Sequence, residues 1–166
     1  MRSRSRPRKS RDEERQDIIA GAHEAFATHG YMGASTDLLV KATGRNRYKL
    51  YCLFGSKAQI FETVAVEALS LACTELKRGA CSPEDLHPVY LRLGLSSIIR
   101  DVVFIRELQT PAACAALEQL GQALITHMEG DEHGTAERRA KAILFDLLTQ
   151  NGEAESGEQL FFGSQP

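Results

Sequence analysis

Apolar residues in the first half of the chain recur every three to four positions and are punctuated by single glycines. That period is the mark of helices with one buried face. Ile18, Ile19, Ala22, Ala25 and Phe26 form the first stripe. Ser10 with Glu13 three residues later is a capping-box pattern for its start, and Asp12, Glu13 and Glu14 suit the positive end of a helix. Gly30 is the expected stop, as a left-handed cap. A second, short helix is predicted from about Ser35 to Thr43, with Leu38, Leu39 and Ala42 inward and Gly44 closing it. Asn46 is a good N-cap for a third, which carries Leu50, Leu53 and Phe54 on its buried side and ends at Gly55. Ser56 with Gln59 forms another capping box, opening a long helix to about Arg78 with the stripe Ile60, Phe61, Val64, Ala68, Leu71 and Ala72.

After Gly79 the segment ACSPEDLHP breaks the pattern with two prolines. A helix from about Pro88 to Leu108 follows, and Thr110-Pro111, an N-cap with proline at the first helical position, opens another that ends near Met128. GDEHG reads as a turn, and a last helix covers about Ala136 to Thr149. Asn151-Gly152 begins a polar tail over 152–166 that is expected to be disordered, where only Leu160, Phe161 and Phe162 have the surface to dock. No segment alternates as strands do and there is no internal repeat, so the expected fold class is all-α.

Charge adds what the stripes do not show. Residues 1–57 hold 12 Lys/Arg against 6 Asp/Glu, whereas residues 58–166 hold 8 against 16. A basic front half on an acidic body points to a polyanion partner for the front half. Residues 1–11 concentrate five Arg and one Lys with no apolar residue beyond Met1, which predicts a flexible arm suited to a phosphate backbone or a minor groove. The four cysteines (Cys52, Cys73, Cys81, Cys114) have no CxxC pair and no metal-like spacing, so reduced thiols in a cytoplasmic protein are expected. Val89 to Ile105, the most apolar stretch, is interrupted by charges and too short to span a bilayer, so no membrane partner is expected.

Three short helices, the second and third joined by about three residues, are the layout of a helix-turn-helix unit, here over about 35–54. The third helix would then project Arg45, Asn46, Arg47, Tyr48 and Lys49 toward base edges. Tyr51, Lys57 and the N-terminus of the fourth helix would face phosphates. The letters sharpen the pattern: Ala22…Phe26…His29-Gly30-Tyr31, Ala42-x-Gly44 and Leu50-Tyr51-x-x-Phe54-Gly55-Ser56-Lys57 stand at the spacing found in TetR-type transcriptional regulators. The chain resembles that family over about residues 12–72.

The resemblance implies a DNA-binding domain at 12–72, a helical dimerisation and effector domain at 73–151, and a homodimer on a palindromic double-stranded operator, most simply as a repressor. It also implies that Ser35 and Thr36, at the start of the second helix, join the DNA-binding set. Dimerisation is expected through the last two helices, with Ala113, Leu117, Leu120, Leu124 and Ile143, Leu144, Leu147 as the apolar face. An apolar small-molecule effector is expected among the helices after residue 58, with Leu91, Leu95, Ile98, Val102 and Phe104 as candidate lining. Three positions depart from the family pattern: Ala34 stands where Thr is usual, Arg45 where a small apolar residue is usual, and Tyr48 where a small residue is usual. These departures keep open an alternative, a ligand-binding or scaffold protein of the same fold that has lost specific DNA binding.

An enzyme is not expected, because no Gly-rich phosphate loop, GxSxG, HExxH or nucleophile–base pairing is present. No cofactor or metal is expected either: His127 and His133, with Glu129, Asp131 and Glu132 between them, fit no helical ligand pair and read as a solvated turn. Cys52, on the third helix, reads as an ordinary small residue, since no resolving cysteine stands near it in sequence.

Overall fold

The computed structural model describes residues 10–78, 90 and 94–128, and no strand occurs among them. The order is α1 (Arg11–Gly33), α2 (Thr36–Thr43), α3 (Arg47–Phe54), α4 (Lys57–Lys77), α5 (Leu95–Phe104), a 3-10 turn (Arg106–Leu108) and α6 (Pro111–Met128). The fold is all-α, with the short helices α2 and α3 at one end and α4 joining them to the body.

Five of the six described helices start at a local side-chain cap, α5 being the exception. Ser10 Oγ accepts from Glu13 N–H at 3.1 Å while Glu13 accepts from Ser10 N–H at 2.7 Å, a complete capping box. Ser35 caps α2 through Leu38 N–H, Asn46 caps α3 through Lys49 N–H, and Ser56 caps α4 through Gln59 N–H. Thr110 Oγ1 does the same for α6 through Ala113 N–H. Each cap satisfies a donor that the helix cannot, worth about 1 kcal/mol. At α4 only the serine half of the expected box forms, because the Gln59 side chain lies against Gly55 instead.

Four details differ from the sequence pattern. Gly30 breaks α1 without ending it: its φ of 65° and ψ of 175° are open almost to glycine alone, and one more turn follows to Gly33. Ala42 is exposed. So is Leu71, and Leu69 takes the buried place expected of it, because α4 packs against α1 on one side and α6 on another. The helix expected from Pro88 to Leu108 is, within the described residues, α5 from Leu95, preceded by left-handed Gly94 and closed by extended Ile105 before the 3-10 turn.

The core runs unbroken through both halves. Phe61 meets both Phe26 and Tyr31 edge to face, its ring centred 5.1 Å from the first and 5.4 Å from the second. α5 packs on α1 through an apolar face of Leu95, Ile98, Ile99, Val102 and Val103, and α6 packs along α4.

This packing bears on two expectations about the body. Leu95, Ile98 and Val102 are fully buried in the core, and Phe104 is half-buried against it, so α5 spends this face on α1. A cavity of about 620 Å³ lies elsewhere, between α4 and α6, lined by Cys73, Leu76, Lys77, Gln119, Gln122, Ala123 and Thr126. Ala113, Leu120 and Leu124, expected at a dimer face, are buried within the single chain, and Leu117 is half-buried. Leu91, the helix expected at 136–149, the basic arm through Lys9, the tail, and the 129–133 turn lie outside the described residues.

Candidate nucleic-acid interface

The turn between α2 and α3 is Gly44-Arg45-Asn46. Gly44 closes α2 at φ 62°, and Thr43 Oγ1 accepts from Arg45 N–H at 3.3 Å. α2 approaches α1 so closely that a Cβ at Gly21 would stand 2.6 Å from the Ala42 carbonyl oxygen. Leu39, Leu50 and Phe54 are buried beneath this unit, while Asn46, Arg47, Tyr48 and Cys52 are exposed on α3. Tyr48 is the most open of the large apolar surfaces, at 79%.

The nine sequence candidates fall into three groups. Arg47 and Tyr48 extend outward from the first turn of α3. The Arg47 guanidinium stands 5.9 Å from the Tyr51 ring centre, and the Tyr48 phenol is pushed up by its hydrogen bond with the Cys52 thiol one turn further on. Ser35, Thr36, Asn46 and Tyr51 hold the unit together: two are caps, and the Thr36 and Tyr51 hydroxyls meet at 2.9 Å, joining α2 to α3. Arg45, Lys49 and Lys57 are turned toward other parts of the protein.

Arg45 donates to Asp17 Oδ2 at 3.1 Å, and Lys49 donates to Glu14 Oε1 at 2.6 Å. Both carboxylates belong to α1, one turn apart. All four side chains remain between 22% and 39% exposed, so water screens the pairs and each contributes well under about 1 kcal/mol to stability. Their effect is electrostatic: two cations of the basic face are already matched. Arg45 thus fits where the family pattern has a small residue, by folding back along α1, although its Nε is buried without a partner.

Lys57 Nζ lies 4.3 Å from the Tyr31 ring centre, at the junction with the body. Burial lowers its pKa, and the nearby Glu107 and Asp101 carboxylates oppose that shift. The Tyr31 hydroxyl, desolvated and hydrogen-bonded to Glu107, is pushed up to about 12.

Sequence reasoning missed Arg15, Glu14, Asp17, Asp101 and Glu107. Arg15 reaches the Leu53 carbonyl at 3.4 Å and stacks 4.4 Å from the centre of the Phe54 ring, clamping the end of α3 to α1. Its one sequence signal was being a cation amid acids at a helix start. Among the described residues no group of three or more His, Cys, Asp or Glu is placed to hold a metal, and no helix is long and apolar enough to cross a membrane.

Residues 18–64 match the model of the bacterial regulatory proteins, tetR family. The chain also aligns with the HTH-type transcriptional repressor AcnR of Corynebacterium efficiens, 37% identical over 95 residues, covering 52% of this chain and 50% of that protein. AcnR of Corynebacterium glutamicum is 37% identical over 100 residues, covering 54% of this chain and 53% of that protein. Through residues 18–64 the chain is similar to the tetR family. It spans about half the length of the curated relatives it matches. A TetR-family transcriptional regulator of known structure from Mesorhizobium loti shares this fold, with a TM-score of 0.56 at 18% identity over 95% of this chain and 88% of that one.

Proposed function

We propose that the chain is a DNA-binding transcriptional repressor that holds a palindromic operator as a homodimer and has no enzymatic role. The observation that carries this reading is α3 itself. Its inner face is buried through Leu50 and Phe54, the Arg15 clamp ties its end to α1, and its first turn presents Arg47 and Tyr48 outward. A short helix held at its base with long donors at its N-terminal turn is what a major groove accepts. The names of the relatives, both transcriptional repressors, support it. In this reading Arg47 and Tyr48 read bases, and Ser35, Thr36, Asn46 and Tyr51 set the pose of the helix.

The alternative, a scaffold that has lost DNA binding, drew its force from Arg45 and Tyr48. Neither disrupts the unit: Arg45 is absorbed by Asp17, and Tyr48 stands clear of the packing. The reading extends to a small-molecule effector that favours a non-binding shape, with the cleft between α4 and α6 offering the space. It also places the protein in the cytoplasm, with the DNA.

The test is selection of fragments from the source genome by the purified full chain, followed by footprinting. Protection of one short palindrome, with a mass in sedimentation corresponding to two chains, is the expected result. Equal binding to all fragments, or none, overturns the reading.

A further inference from the structure

Asp101 is the one acidic side chain buried in the α5 core face, at 5% exposure among the described residues. A carboxylate in such a place costs several kcal/mol unless its oxygens are matched. The match comes from the other half of the molecule. Asp101 Oδ2 accepts the backbone N–H of Tyr31, the first residue after the break in α1. Asp101 Oδ1 accepts from its neighbour Arg100, whose Nε and terminal nitrogen stand at 3.3 and 3.1 Å.

Gly30 is what lets them meet. A Cβ there would lie 2.8 Å from the Arg100 guanidinium and 3.1 Å from Asp101 Oδ2, besides being strained at φ 65°. Around this point Tyr31 packs on Phe61 of α4, Lys57 of α4 lies over its ring, and Glu107 of the 3-10 turn bonds its hydroxyl. Elements from both halves thus converge on one backbone bond.

We propose that Asp101 is a positioning residue for DNA binding: by holding Tyr31 N–H at the Gly30 break, it fixes the angle at which the α1–α3 unit leaves the body. The argument is geometric. α1 carries Arg15, which clamps the end of α3, and Glu14 and Asp17, which meet Lys49 on α3 and Arg45 in the turn before it, so whatever sets the end of α1 sets the recognition helix. Without the carboxylate, the broken turn has no partner for its leading N–H, and the guanidinium of Arg100 loses its counter-charge. The unit then keeps its own structure but loses a defined direction. In a dimer that must meet two half-sites at a set spacing, direction matters for the pair and not for one site alone.

This inference rests on the operator-binding reading, so two measurements are paired. The first needs no DNA. Spin labels at Lys41→Cys on α2 and Gln122→Cys on α6, in a full chain whose own cysteines are replaced by alanine, report the distance between the unit and the body. Asp101→Ala is expected to broaden a narrow distance distribution, and an unchanged distribution overturns the proposal. The second compares affinity for the selected palindrome with affinity for a single half-site. Asp101→Ala is expected to lower the first about tenfold, about 1.4 kcal/mol, and to leave the second within about threefold. An equal fall in both overturns the proposal in favour of a purely structural role.

Asp101→Asn keeps one acceptor for Tyr31 N–H and is expected to fall between wild type and Asp101→Ala in both measurements. Should Asp101→Ala not fold, Asp101→Asn decides, and a wild-type ratio in that variant overturns the proposal. Failure of the wild-type chain to select any DNA refutes the operator reading, while the distance measurement still judges the junction.

Discussion

Arg47 and Lys49 stand two positions apart on α3 and are held in opposite ways. Arg47 reaches outward beside Tyr51, whereas Lys49 is tied to Glu14 on α1. Replacing Arg47 with alanine is expected to cost about 1–3 kcal/mol per half-site and to relax preference at one base position; equal losses on operator and random DNA would make it a phosphate contact instead. Glu14→Gln is expected to act in the other direction. It frees Lys49, so binding to random DNA should strengthen and its salt dependence should steepen, as read from anisotropy titrations over a salt series. A third expectation concerns Tyr31, whose pKa is higher folded than unfolded. Its neutral form is the stabilising one, so that stability is present below about pH 10 and is lost as pH rises toward about 12. Urea unfolding from pH 9 to 12 should therefore show the wild type losing its lead over Tyr31→Phe; a constant gap would refute the linkage. The caps Ser10 and Asn46 were legible because donor and acceptor lie three residues apart. Asp17, Glu14 and Asp101 were not, since their partners lie 28, 35 and 70 residues away and no local period displays such pairs.

Helix starts marked by a capping side chain were legible for the same local reason; the end of α1 and the bounds of α5 were not, and helix faces were less so. A stripe read for one neighbour fails on α4, which has two: Leu71 falls outside both contacts and Leu69 falls within. The same blindness hid the purpose of Gly21, a glycine inside the α1 stripe. It is the point where α2 crosses, and the Ala42 carbonyl occupies the place of a Cβ. Gly21→Ala would gain about 1 kcal/mol in helix propensity. Against that, the added methyl would also stand 2.8 Å from Thr43 Cα, and backbone atoms cannot swing away as side chains can. Overpacking of this kind costs about 1–3 kcal/mol. Net destabilisation in urea, with α2 displaced and operator affinity reduced, is expected. A more stable variant would mean that α1 and α2 have room to separate freely.

At the scale of the whole molecule, the division of charge decides how the protein meets DNA before any base is read. The basic half owes much of its excess to Arg2, Arg4, Arg6, Arg8 and Lys9, ahead of the first helix. Inside the folded unit, two further cations are matched by Asp17 and Glu14, and Lys57 lies at the junction with the body. The arm is therefore expected to neutralise a large share of the phosphates. Each phosphate neutralised adds about −0.9 to the slope of log K against log salt, so a dimer whose two arms each cover one phosphate owes them about −1.8 of its slope. The deletion must stop at Lys9: Ser10 is the N-cap of α1, and removing it would cost about 1 kcal/mol and fray the helix that carries Glu14, Arg15 and Asp17. A chain lacking residues 2–9 should melt as the wild type does, bind operator and random DNA more weakly by similar factors, and show a flatter slope. The parallel weakening follows because phosphates carry no sequence information. If only the operator affinity falls, the arm enters a groove and reads sequence; if the slope is unchanged, the folded unit meets the phosphates without it.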